Sequence, residues 1–235
     1  MSEARIWDIS LSLGPQTPVY PGLPGVEVVW MRHWSLGDTS AVSRLSFGTH
    51  VGTHVDAPLH FVQDGAGLDR IPLERFVGRA RVVDLSGCPG PALTAGDLQQ
   101  AGIAPPNELP DILLLRTRNS ALLGEAQFRP DYVYLAPDAA ETLVRCGVRT
   151  LGFDYLSVDP PKDPVKAAHR ALLAAGVVLF EGLNLSVVPP GDYFFVGLPL
   201  RLEETEGAPA RAILLELQEA RKFGIDKTGK EVNGG

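Results

Sequence analysis

The chain has 235 residues, of which 45% are hydrophobic and 21% charged, a composition typical of a folded globular protein. Its formal net charge is −7, without the clustered lysines and arginines that hold nucleic acid, so we expect no nucleic-acid partner. The longest apolar stretch, residues 171–180, is about half of the roughly 20 residues that span a bilayer, so we expect no membrane anchor.

Strand patterns dominate the first part of the chain, and turns rich in glycine and proline separate them. The predicted strands there are residues 6–13, 26–33, 79–85, 112–116 and 132–135. Residues 14–25 contain several prolines and are predicted to be a loop. Thr94 is predicted to cap a helix that runs through Ala101.

Helix and strand patterns alternate in the second part of the chain. Helices are predicted over residues 137–146 and 165–175, ended by Gly147 and Gly176. Further strands are predicted over residues 148–153, 177–180, 192–198 and 210–216. This order predicts one α/β domain, mixed and rich in strands, which we place at residues 1–217. Residues 218–235 are predicted to be a polar C-terminal tail that frays or lies on a partner.

Cys88 and Cys146 are isolated, since neither belongs to a CxxC pair or has a histidine nearby in sequence. Isolated cysteines suit a reducing compartment better than a disulfide framework. Residues 1–7 carry Glu3 and Arg5 before any apolar run, unlike a secretory leader. We therefore expect a cytoplasmic protein in which the two cysteines have no assigned chemical role.

Three of the five histidines, His50, His54 and His60, fall within eleven residues, and Asp56 lies among them. Imidazole and carboxylate groups are the usual ligands of zinc, manganese and iron, and two histidines with one aspartate supply three of them. An open position would remain for water. The alternatives are a polar surface loop or hydrogen-bonded core histidines, but this density of histidines favours a metal or catalytic site.

Backbone geometry limits how this segment can hold one ion. In a straight strand His50 and His54 would lie roughly 13 Å apart, too far to share a metal. Gly52, Pro58 and several β-branched residues disfavour a helix. We therefore predict a tight loop, in which Gly48 and Gly52 supply unusual backbone angles.

A second patch, weaker by itself, combines His169 on a predicted helix with Glu181 at the end of an apolar strand. Such residues are usually solvated, but a carboxylate that closes an apolar run is costly to bury without a cation. Motifs for a serine nucleophile elbow, a phosphate-binding P-loop and a dinucleotide-binding turn are absent from the sequence.

The histidine segment resembles the signature of the metal-dependent cyclase family, which includes the bacterial kynurenine formamidases, also called arylformamidases. The matching residues are His50, Gly52, Thr53, His54, Asp56, Pro58, His60 and Phe61. The resemblance covers most of the chain and extends to residues 7–10, 17–22, 152–159, 190–193, 198–200 and 207–212. It implies a swivelling β/β/α fold, assembled as a homodimer or homotetramer.

The resemblance also implies roles for individual residues. His50, His54 and Asp56 would hold one metal ion, and Asp56 would bridge to a second ion held by His169 and Glu181. The metals would be Zn²⁺ or Mn²⁺, two per chain. His60 would be the catalytic acid and base, with Glu181 sharing the proton transfer. Metal-bound water that loses its proton near neutral pH would then attack an amide carbonyl.

The implied activity is hydrolysis of an aryl formamide such as N-formylkynurenine, a small-molecule amide. The formamidases carry Trp-Pro-Gly-Asp where this chain has Tyr20-Pro21-Gly22-Leu23, so Tyr20 is the candidate substrate-stacking residue. Because the acidic residue is missing, hydrolysis of a cyclic amide or imide such as isatin is an alternative. A metal-dependent dehydratase or cyclase is a second alternative, and a metal-stabilised binding domain is a third.

Overall fold

The computed structural model describes residues 5–106 and 109–220. The strands are β1 (Ile6–Asp8), β2 (Glu27–Arg32), β3 (Val42–Ser46), β4 (His54–Asp56), β5 (Val77–Asp84), β6 (Ala92–Leu93), β7 (Ile112–Arg116), β8 (Tyr134–Leu135), β9 (Thr150–Phe153), β10 (Val178–Glu181), β11 (Gly191–Pro199) and β12 (Gly207–Glu216). The helices are α1 (Ala95–Gln100), α2 (Pro137–Arg145), α3 (Ala167–Ala174) and α4 (Leu217–Ala220), and short 3₁₀ helices include Pro58–His60 and Arg118–Gly124.

The main sheet closes on itself. Its strand order is β1-β12-β11-β5-β7-β9-β10-β4, and β4 also pairs with β12. Seven strands of the described chain therefore form a closed barrel, and β1 pairs beside β4 on the same edge of β12. The neighbours β5, β7, β9 and β10 run parallel, whereas the remaining pairs of this sheet are antiparallel. This architecture confirms the predicted β-rich mixed α/β fold.

Two apolar cores lie on opposite faces of the parallel strands. In β7, Leu113 and Leu115 belong to the core that contains the helices, whereas Ile112 and Leu114 belong to the core with β11 and β12. A strand that is buried on both faces has a continuous apolar sequence instead of an alternating one. This burial explains why the sequence predicts the bounds of β7 correctly.

Local signals determine where the helices begin and end. The Asp97 N–H donates to the Thr94 hydroxyl, and the Thr94 N–H donates to the Asp97 carboxylate, a capping box that begins α1. Gly147 and Gly176 follow α2 and α3 with φ angles of 76° and 73°. Because glycine adopts such left-handed angles at little cost, both helices end close to their predicted positions.

The structure corrects three predictions in the first part of the chain. The strand predicted over residues 6–13 ends at Asp8, because the Leu11 N–H donates to the Thr53 hydroxyl instead of a neighbouring strand. Residues 54–56, predicted to be part of a loop, form β4, which pairs with β10 and β12. Strand β3 was not predicted, and it forms a separate two-stranded sheet with β2.

The predicted tail, residues 218–235, begins inside α4, and residues 221–235 lie outside the described residues. The domain bounds therefore stay a prediction. In the part of the chain that the structure describes, no helix is both long enough and apolar enough to cross a membrane.

Candidate metal centre and active-site cleft

Strand pairing brings the two predicted patches together. His54 lies opposite Glu181 in the register between β4 and β10, so their side chains lie on the same face. Asp56 shares that face because it is two residues from His54 in the same strand. The Nε2 atom of His54 lies 3.4 Å from Asp56 Oδ1 and 3.4 Å from Glu181 Oε2.

His50 reaches the same point from the segment before β4. Gly52 has a φ of 59°, which turns the backbone, whereas Gly48 is not among the residues with positive φ. The prediction of an unusual backbone angle is thus confirmed for Gly52 and wrong for Gly48. The turn places His50 Nδ1 2.7 Å from Asp56 Oδ1, and the rings of His50 and His54 meet at a right angle.

Helix α3 delivers His169 to the other side of Asp56. His169 Nε2 lies 3.3 Å from Asp56 Oδ2 and 3.2 Å from Glu181 Oε1. Its Nδ1 hydrogen-bonds to Asp159 Oδ2, and the Ala168 N–H donates to Asp159 Oδ1 at 2.8 Å. Asp159 therefore fixes both the ring of His169 and the start of α3.

His60 lies at the edge of this group. Its half-buried ring stacks on the ring of His50, with centroids 4.0 Å apart, and it makes no ion pair with any described residue. Burial is the main cause that lowers the pKa of His60 to about 4, and the charge of His50 acts in the same direction. His60 is thus placed beside the other site residues as a neutral imidazole.

Burial and charge act in opposite directions on the other site residues. Burial alone lowers the pKa of His54, but its contacts with Asp56 and Glu181 raise it to about 10. Burial alone raises the pKa of Glu181, but the charge of His169 lowers it to about 2. Burial also raises the pKa of Asp56, yet His50 and the other imidazoles hold it well below its usual range. The carboxylates stay ionised and attract cations.

The residues of this site fit a divalent transition-metal ion. Asp56 Oδ2 is buried and accepts no hydrogen bond in the described structure, although His169 Nε2 lies 3.3 Å away, and a buried charged oxygen without a hydrogen bond is costly. The contacts of His54 and His169 with Asp56 and Glu181 measure 3.2–3.4 Å, whereas His50 Nδ1 lies 2.7 Å from Asp56 Oδ1. Ligand atoms about 2.1 Å from a tetrahedral zinc ion lie roughly 3.4 Å apart, so the spacing at His54 and His169 also fits.

Among the described residues, two groups of three side chains have ligand atoms close enough to share an ion, and both contain Asp56. They are His50, Asp56 and His60, and His54, Asp56 and Glu181. A carboxylate common to two groups is what a bridging ligand requires. The grouping differs from the one that the family resemblance implies, because it joins His60 to His50 and places His54 with Glu181.

A cleft of about 310 Å³ leads from the surface to this site. His50, His60, His169 and Glu181 line its inner end. Tyr20, the predicted substrate-binding residue, lies on its wall and packs edge-on against Phe128. Cys88 and Cys146 are half-buried free thiols that do not line the cleft.

Sequence reasoning missed three groups that orient the predicted site residues. Asp159 binds His169, the Val158 N–H donates to Glu181 Oε1 at 2.8 Å, and Glu206 Oε1 lies 3.2 Å from His50 Nε2. Asp159 and Val158 belong to the segment 152–159 that resembles the cyclase family, but no motif in the sequence marks them as partners of the histidines. Glu206 lies in the turn before β12, and no sequence motif marks it as a neighbour of the site.

Comparison with known proteins agrees with this architecture. The family model described as "Putative cyclase" matches residues 7–160. The kynurenine formamidase of Erythrobacter litoralis (strain HTCC2594) is 36% identical over 221 residues, which cover 93% of this chain and 97% of that protein.

Several solved structures have the same fold. A protein of Bacillus stearothermophilus, described as a predicted metal-dependent hydrolase, superposes with a TM-score of 0.77 at 31% identity, over 92% of this chain and 100% of that one. An isatin hydrolase bound to the product analogue thioisatinate superposes with a TM-score of 0.77 at 26% identity, over 91% and 92%. The chain belongs to the cyclase family.

Proposed function

We propose that this chain is a metal-dependent hydrolase of non-peptide C–N bonds and that it cleaves an aryl formamide such as N-formylkynurenine. The observation that carries the proposal is the convergence of His50, His54, His169 and Glu181 on Asp56 at the inner end of the cleft. The 36% identity to a kynurenine formamidase supports the substrate class.

In this proposal His50, His54, Asp56, His169 and Glu181 hold two ions, Zn²⁺ or Mn²⁺, with Asp56 shared between them. Such ions lower the pKa of a water molecule and polarise an amide carbonyl when they are bound. Three of the imidazoles are oriented by a hydrogen bond between one ring nitrogen and a carbonyl or carboxylate group. For example, His54 Nδ1 donates to the Gly52 carbonyl at 3.0 Å, which directs Nε2 toward the carboxylates.

His60 is the proposed acid and base, with Glu181 as a second proton carrier. Water adds to the formyl carbon, the C–N bond breaks, and the aryl amine leaves with a proton that His60 transfers to its nitrogen. His60 suits this task because, unlike His50, His54 and His169, it has no carboxylate within ion-pair distance among the described residues. The imidazole is free to exchange a proton.

Hydrolysis of a cyclic amide is the second candidate. Two observations favour it: the similarity to an isatin hydrolase, and Leu23 in place of the acidic residue of the formamidase motif. A metal-dependent dehydratase or cyclase reaction would use the same residues without incorporating water into the product.

Assays of the zinc- and manganese-loaded protein on N-formylkynurenine and isatin test the proposal. We expect turnover of one of the two, with ¹⁸O from labelled water in the product carboxylate or formate. We expect His60→Ala to keep its metal and to lose activity by about 100-fold or more. Turnover of neither substrate, or unchanged activity of His60→Ala, would contradict the proposal.

We also propose a cytoplasmic protein that assembles as a homodimer or homotetramer. The support for assembly comes from the β2–β3 hairpin, which pairs with no other described strand. Several of its large apolar side chains are exposed: Val28, Trp30, Met31, Trp34, Leu36, Val42 and Leu45. An apolar surface of this extent on a hairpin is typical of a protein–protein interface.

A further inference from the structure

Among the residues that line the cleft, one is a lysine and none is an arginine. This residue is Lys166, which lies between β9 and α3, three residues before His169. The remaining ionisable residues of the cleft are histidines, Glu181 and Tyr20. None of the roles proposed above uses the Lys166 ammonium group.

The Lys166 ammonium group is only partly satisfied. Its Nζ donates to the Tyr20 hydroxyl at 3.1 Å and lies 4.9 Å from the centre of the Tyr20 ring. No carboxylate of a described residue lies within 4.0 Å of Nζ. Because an ammonium group has three donors, two remain available to a molecule in the cleft.

The backbone fixes Lys166 at this place. Its φ is 54°, a left-handed angle that is unusual for a residue other than glycine. The Asp163 carboxylate holds this conformation, because it accepts hydrogen bonds from the N–H groups of Val165 at 2.9 Å and Lys166 at 3.0 Å. An observed backbone outlier beside a binding cleft suggests a functional position.

We propose that Lys166 binds a carboxylate of the substrate, so that the cleft selects amides that carry a carboxylate over those that lack one. The inference rests on the proposed amide hydrolysis and adds the substrate class. The scissile amide would lie at the histidine end of the cleft, and the carboxylate would lie at the wall formed by Lys166 and Tyr20. A charge-assisted hydrogen bond of this kind is among the stronger polar contacts of a binding site.

The test compares N-formylkynurenine with its methyl ester, which lacks only the carboxylate charge. For the metal-loaded wild type, we expect a KM at least tenfold lower for the acid. In Lys166→Met the KM of the acid should rise by about 10- to 100-fold, whereas the ester should change less than threefold. Lys166→Arg should restore most of the preference, and added salt should weaken it in the wild type.

Lys162→Met is the matched control, because Lys162 is an exposed lysine with a similar φ of 60° outside the cleft. It should leave both KM values unchanged. Equal losses for acid and ester in Lys166→Met would overturn the inference in favour of a structural role. If the wild type cleaves neither compound, hydrolysis of N-formylkynurenine is ruled out, and calorimetric binding of kynurenine and its methyl ester then decides the role of Lys166 by the same comparison.

Discussion

Asp56 is the side chain on which the site depends, since its two oxygens face three different imidazoles. Its burial is complete, so the charge is stabilised only by what surrounds it. The sequence marks Asp56 through the histidines that flank it. The partners that orient those histidines come from distant segments, and only the fold brings them into place.

Asp159 provides a test of this supporting role. Asp159→Asn removes the charge that fixes His169, so we expect zinc affinity to fall by about 10- to 100-fold while the fold is retained. Competition with a fluorescent chelator measures the change. Asp111→Asn, at an exposed position outside the cleft, is the control. Equal affinities in the wild type and Asp159→Asn would contradict the assigned role.

Asp154 predicts a pH dependence of stability that is independent of the metal residues. Burial raises the pKa of Asp154 from 3.8 to about 6, although hydrogen bonds from Ser120 and Thr117 oppose the shift. Because folding raises this pKa, the protonated carboxyl group of Asp154 stabilises the folded state fully below pH 4. This stabilisation is lost as the pH rises through 6.

The loss amounts to about 3 kcal/mol at most. Urea unfolding of the wild type and Asp154→Asn between pH 4 and pH 8 measures it. Relative to the variant, the wild type should lose stability over this interval. A difference between the two proteins that stays constant with pH would show that the pKa of Asp154 is not raised.

At the level of elements, a close approach of two backbone segments holds the metal residues together. Gly182 follows Glu181 with a φ of 69°, and a Cβ atom there would lie 2.3 Å from the Gly52 carbonyl oxygen. The Thr53 hydroxyl donates to the Gly182 carbonyl at 2.6 Å across the same contact. The end of β10 and the turn before β4 are thereby fixed to each other.

This contact predicts a difference between two glycine substitutions. Gly182→Ala adds a collision to the left-handed φ, so we expect it to lower the free energy of unfolding by about 3 kcal/mol or more. Gly176→Ala has a similar φ of 73° but open space around the added methyl, so its cost should be about 1 kcal/mol. Chemical denaturation of both variants tests this order, and equal costs would refute the role of the contact.

Across the whole molecule, the sequence predicts the elements that have local signals and misses those that form only by pairing with distant strands. Strands β7 and β9 and helices α1 to α3 were predicted close to their bounds, because apolar runs, caps and glycine stops are local signals. The sequence does not predict strand β4, because its three residues become a strand only through pairing with β10 and β12. The predicted site residues do meet: strand register pairs His54 with Glu181, the Gly52 turn brings His50, and α3 brings His169. The local sequence signals the turn but not the register.

The β2–β3 hairpin predicts self-association of the whole molecule. Trp30→Glu combined with Leu45→Glu places charges on its exposed apolar surface and should convert the dimer or tetramer to monomers. Sedimentation velocity at micromolar concentration measures the change. Leu198→Glu, an exposed leucine on β11, is the control. A monomeric wild type, or a double variant that assembles normally, would contradict the prediction.

The most direct test of a metal centre organised by Asp56 is the number of ions per chain. Elemental analysis after reconstitution with zinc or manganese should find two ions per wild-type chain and none in Asp56→Ala. A substitution that removes the shared ligand should empty both sites at once. Wild-type protein that stays folded and binds no ion, or Asp56→Ala that keeps both, would contradict the account.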